Sequence, residues 1–150
     1  MASSGDSSAW APSPEVQSRS PRDRGGQVAF EIEFLERLLA VSPQHLDGLR
    51  RLAELLARHG RLEEALSLDR RLVALRPQDC VARYNLACTL ARGNHADEAL
   101  AELERAIDAG YDDLAFLETD RDLECLWESP AYQAMLQDLR LQVTSRNSRN

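Results

Sequence analysis

Residues 49–78 read LRRLAELLARHGRLEEALSLDRRLVALRPQ, and this stretch decides the fold. Leu49, Leu52, Ala53 and Leu56 fall at i, i+3, i+4 and i+7, one face of a 3.6-residue helical period. Gly60 then supplies a turn position open to positive φ. A second apolar face follows on Leu62, Ala65, Leu66, Leu72, Val73 and Leu75. Pro77 stops it, because proline cannot continue the hydrogen-bond ladder. The stretch is a helix–turn–helix unit.

The unit recurs at an offset of 34 residues. Pro43-Gln44 returns as Pro77-Gln78, and Arg37 and Leu38 return as Arg71 and Leu72. Leu52-Ala53 returns as Leu86-Ala87, and Glu64-Ala65-Leu66 as Glu98-Ala99-Leu100. One offset fits all of these, so the chain is an array of similar helical units. The next unit runs through Leu86, Ala87 and Leu90, turns at Gly93-Asn94, and continues through Ala99, Leu100, Leu103 and Ile107. Asparagine at 94 is the next-best residue after glycine at a positive-φ turn. Gly110 closes the second helix of that unit as a C-cap.

At these residues the chain resembles the tetratricopeptide repeat family, whose 34-residue unit is a helix–turn–helix. The family pattern falls on Leu49, Leu52, Ala53, Leu56, Gly60, Leu62, Ala65 and Pro77 in the unit 46–79. In the unit 80–113 it falls on Arg83, Leu86, Ala87, Leu90, Asn94, Ala96 and Ala99, with Tyr111 in place of proline. Residues 28–43 look like an orphan second helix, and the likeness covers about 28–111. Arg83 and Ala96 replace large residues, which implies looser packing in the second unit. Asp69 stands where a large apolar residue is expected, so either it is paired, with a nearby arginine as one candidate, or the helix is rotated.

After Gly110 the pattern changes. Two short acidic segments, 112–117 and 120–127, precede Ser129-Pro130, an N-cap followed by proline at the first helical position. A last amphipathic helix carries Tyr132, Met135, Leu136 and Leu139. This ending resembles the segment that closes such arrays in many bacterial proteins, and it implies a cap over the last unit's apolar face. The resemblance implies an all-α solenoid of about two and a half repeats with a C-terminal helical cap. The expected divisions are a disordered leader 1–26 and a repeat domain 27–141, followed by a disordered tail 142–150. The domain comprises the orphan helix 28–43, repeats 46–79 and 80–113, and the cap 114–141. The leader holds seven serines, three prolines and three glycines and no periodic apolar face.

Charge bounds the partners. The 18 basic residues are all arginine, and the formal net charge is −7. Residues 80–139 hold 4 arginines against 13 acids. An acidic half of this size argues against nucleic acid, whose phosphates require a basic surface. There is no apolar run of transmembrane length and no secretory signal, so no membrane association is expected and the cytoplasm is the expected compartment. Cys80, Cys88 and Cys125 form no CxxC pair and read as reduced thiols.

The family's concave groove is lined by the first helix of each unit. Here those positions fall on Asp47, Arg50, Glu54, Ala57 and Arg58, then on Val81, Tyr84, Cys88, Ala91 and Arg92. The expected binding residues are Arg50, Arg58, Val81, Tyr84, Asn85, Cys88 and Arg92: an apolar strip flanked by arginines, fit for acidic and apolar side chains. Asn85 and Arg50 match two positions of the family's carboxylate clamp, but Glu54 stands where the clamp needs asparagine. Arg37, Arg71 and Arg105 recur at one phase and are expected to face solvent. His45, His59 and His95 lie near turns without metal-ligand spacing. No Ser/His/Asp or Cys/His order suggests catalysis; Cys88 would be reactive only if exposed beside Arg92. The expectation is a non-catalytic protein–protein interaction module, an adaptor or small chaperone, with no cofactor and no metal. The alternative is a self-associating scaffold that stacks through the helix 28–43, where Phe30 and Phe34 are the anchors.

Overall fold

The computed structural model describes residues 21–149, with side chains from residue 25 onward. Its helices run in the order α1 (Pro21–Val41), α2 (Leu46–Arg58), α3 (Leu62–Leu75), α4 (Cys80–Arg92), α5 (Ala96–Asp108) and α6 (Leu114–Thr119). A 3-10 segment (Arg121–Leu126) and α7 (Pro130–Asn147) complete the chain. No strand occurs among the described residues. Each of α1 to α5 packs on its neighbours in sequence, as a solenoid of antiparallel helix pairs does.

The turns have the expected chemistry. Gly60 sits at φ 76° and Asn94 at φ 64°, the left-handed region in which glycine and asparagine are tolerated. His45 and Asp79, 34 residues apart, cap α2 and α4. The His45 ring accepts from the Gly48 amide at 3.0 Å, and Asp79 accepts from the Val81 and Ala82 amides at 3.1 and 3.0 Å. At Gly48 a side chain would meet Leu38 and Leu39 of α1 at 3.3 Å, so this glycine sets how closely α1 and α2 approach.

The core forms two clusters that share Val73. One joins α1, α2 and α3 through Leu35, Leu39, Leu49, Leu56 and Leu72. The other joins α4 and α5 to the C-terminal segment through Leu90, Leu103, Leu117, Leu123, Leu136 and Leu139. Tyr132 anchors that segment: it is fully buried, and its hydroxyl donates to the Leu117 carbonyl at 2.7 Å. Ser129 caps α7 and Pro130 occupies its first turn.

Some boundaries fall elsewhere than expected. α1 begins at Pro21 and runs as one 21-residue helix through Gly25 and Gly26, so residues 21–26 of the anticipated leader are helical. The rest of that leader, 1–20, lies outside the described residues. α7 continues to Asn147 through residues expected to form a tail, because 142–147 contains no proline or glycine to break it and Val143 packs against the core. Arg83, expected to loosen the second repeat, instead forms an ion pair with Glu102 at 2.9 Å. It also donates to the Pro77 carbonyl at 2.7 Å. Its side chain is only 16% exposed, so these polar contacts, not a large apolar residue, fill that position.

Candidate functional site

The concave side of α2 and α4 forms a cavity of about 440 Å³. Helix phase places Arg50, Glu54 and Arg58 on one wall and Asn85 and Arg92 on the other, with Asp69 at the base. The third side comes from the C-terminal segment, which contributes Phe116, Asp120 and Asp122. Of the seven residues expected to bind, six line this cavity; Val81 is exposed but is not part of the lining.

The expected apolar strip is largely covered. Tyr84 is buried: its ring stacks on Tyr111 at 4.5 Å and lies 5.7 Å from Phe116, and its hydroxyl donates to Asp120. Cys88 is buried beside it, with its thiol 3.7 Å from the same Asp120 oxygen. Burial, reinforced by the Asp120 charge, pushes the Cys88 thiol well above its ordinary range. Arg92 does not activate it. That arginine turns away, donating to the Ala57 carbonyl at 2.7 Å and pairing with Asp122 at 3.8 Å.

The other arginines are also partnered. Arg50 bonds Asp79 at 3.1 Å, and Arg58, the most exposed of the three, bonds Glu54 at 2.6 Å. Asp69 is not held by an arginine as expected; its partner is the Thr89 hydroxyl at 2.7 Å. Burial pushes its carboxyl up to about 6, against the lowering effect of that hydrogen bond. Burial and the neighbouring Asp120 also raise Asp122. The cavity is therefore amphoteric, with three arginines facing four carboxylates around an aromatic patch. Arg37, Arg71 and Arg105 face solvent as expected.

Thr89, Phe116, Asp120 and Asp122 were not anticipated as lining. The acidic run after Gly110 is visible in the sequence, but its fold back onto α4 is not. Cys88, Asp120 and Asp122 bring one ligand atom each within 4.8 Å of one another. Tyr84 and Cys88 both direct their protons at Asp120, so these groups satisfy each other.

Residues 33–79 match the family model of the tetratricopeptide repeat. That span covers the C-terminal part of α1, from Glu33 to Val41, and the whole unit formed by α2 and α3. No curated protein matches the chain. Among the described residues, no helix is long and apolar enough to cross a membrane.

Proposed function

We propose that this chain, a protein of the tetratricopeptide repeat family, is a non-catalytic adaptor or small chaperone. Its concave cavity would take a segment of a protein partner. Repeats of this family are generally protein–protein interaction modules. The observation that carries the reading is the convergence of Arg50, Arg58, Asn85, Arg92 and the half-exposed ring of Phe116 on one cavity. The partner segment would set a carboxylate against Arg58, whose side chain is 64% exposed, and an apolar side chain against Phe116. The salt bridges already in the lining favour a partner of mixed charge over a uniformly acidic one. The reduced thiols Cys80, Cys88 and Cys125 support a cytoplasmic setting.

Affinity capture from the native cell with the wild type and with Arg58→Glu tests this. The variant should lose the partner identified with the wild type while keeping its helicity. Equal capture by the two proteins would move the site off the cavity.

A second reading rests on Phe30, Phe34 and Val41, which are 71%, 57% and 85% exposed on one face of α1. No helix covers that face among the described residues, and self-association through it would bury all three. A concentration-dependent molar mass that Phe34→Glu abolishes would support this reading. A monomer at high concentration would remove it.

A further inference from the structure

A second groove, outside the concave cavity, lies between α5 and α7 and encloses about 500 Å³. Its floor is apolar, built by Ile107 of α5 and by Ala134, Met135 and Leu139 of α7. Its rim is formed by Glu104 and Asp108 from one wall and Asp138 from the other. No arginine lines it.

This charge pattern differs from the other interhelical grooves. The groove over α3 and α5 sets Arg70 and Arg105 against Glu98 and Glu102. The groove over α1 and α3 sets Arg71 against Glu36 and Glu64. By contrast Glu104, Asp108 and Asp138 are exposed, and none has an ion-pair partner among the described residues. Glu104 and Asp108 are also i, i+4 neighbours of like charge, so they repel one another until a cation arrives.

We propose that this groove docks an amphipathic helix from a protein partner, one with an apolar stripe flanked by lysine or arginine. The charge complementarity selects a basic occupant, since an acidic one would meet three carboxylates that have no ion-pair partner among the described residues. The geometry selects a helix. The α7 wall runs from Ala131 to Gln142, about 16 Å at 1.5 Å per residue, which matches roughly three helical turns. A helix satisfies its own backbone hydrogen bonds and so can bury a face on an apolar floor; an extended strand would leave its donors and acceptors unpaired there.

The test uses the full chain and three synthetic fluorescent peptides of about three to four turns. One carries leucines at i, i+3, i+7 and i+10 with flanking lysines. The second replaces lysine with glutamate. The third keeps the lysines and scrambles the leucine spacing. Fluorescence anisotropy should show the first binding at least about tenfold more tightly than either control, with the affinity falling as salt rises. Reversing the rim with Glu104→Lys, Asp108→Lys and Asp138→Lys should transfer the preference to the glutamate peptide. Amide NMR shifts should fall on α5 and α7. If the reversal disturbs the fold, Glu104→Gln with Asp138→Asn supplies the milder variant and should still weaken binding.

The proposal is overturned if the lysine peptide binds wild type and variants equally. It is also overturned if the scrambled peptide binds as well, if the shifts map to the α2/α4 cavity, or if no peptide binds. Sedimentation of the chain alone adds one more outcome: a dimer that the rim reversal dissociates would assign the groove to a second copy and refute the basic-helix partner.

Discussion

The Thr89 hydroxyl oxygen lies 2.7 Å from a carboxylate oxygen of Asp69 and 3.1 Å from the carbonyl of Asn85 one turn earlier in α4. Thr89 has one proton for two acceptors. Once Asp69 is protonated the conflict ends: its own O–H donates to Thr89, and Thr89 donates to Asn85. Burial, which pushes the carboxyl up to about 6, favours the same protonated form.

The sign of the resulting pH dependence follows. The folded group holds its proton above the unfolded range of about 4, so its contribution is most favourable below about 4 and is lost as pH rises to about 6. The full effect is roughly 3 kcal/mol. Asp69→Asn keeps an acceptor for Thr89 and removes the charge. At pH 7 it should raise stability by about 1–3 kcal/mol, and the gap to wild type should close near pH 4. Denaturant midpoints measured from pH 4 to 8 check this. Destabilisation by asparagine at pH 7 would mean that the folded state favours the ionised form.

What was legible in the sequence was periodic. The 34-residue echo, the capping positions and the leucines at helical spacing are local or repeated signals, and they fix the helices and their pairing. The site was legible only in part. Arg50, Arg58, Asn85 and Arg92 reach the cavity because their phase on α2 and α4 dictates it. The covering of Tyr84 and Cys88 was not legible, because it depends on Asp120, 36 and 32 residues further on, and no repeat fixes that return. The partner of Asp69 lies 20 residues away on α4, where a lone threonine carries no pattern of its own. The start of α1 at Pro21 was obscured by Gly25 and Gly26, which weaken a helix without forbidding it.

Arg58 and Arg92 share a repeat position but not a role. Arg92 bonds the Ala57 carbonyl in the last turn of α2, where a cation also suits the helix dipole. Arg92→Ala should therefore cost about 1–2 kcal/mol, through the loss of a charge-assisted hydrogen bond. Arg58→Ala removes only an exposed i, i+4 pair with Glu54 and should stay within about 0.5 kcal/mol of wild type. Chemical denaturation of the two variants side by side decides it. Equal effects would dissolve the distinction.

Ala65 and Ala99 are both fully buried and stand at one position of successive repeats. Replacing Ala99 with leucine should overpack the α4–α5 contact and cost about 1–3 kcal/mol. Thermal unfolding is the readout. An unchanged midpoint would mean that the two helices do not meet at this residue.

The last prediction concerns the cover over α4. Cys125 is exposed, whereas Cys88 is buried beneath the Tyr84–Asp120 contact with its thiol held protonated. Thiolate is the reactive form, so burial and a raised pKa both slow Cys88. A brief pulse of a neutral disulfide reagent at pH 7.5, read by peptide mass spectrometry, should label Cys125 and leave Cys88 almost untouched. In a Cys80→Ser background, which removes the partly exposed third thiol, Cys125→Ser should abolish the fast phase and Cys88→Ser should keep it. Tyr84→Phe loses the hydroxyl that ties α4 to Asp120, so in that background Cys88 should label faster by local opening. Labelling of Cys88 as fast as Cys125 in the wild type would show that the C-terminal segment does not hold its cover over Tyr84 and Cys88.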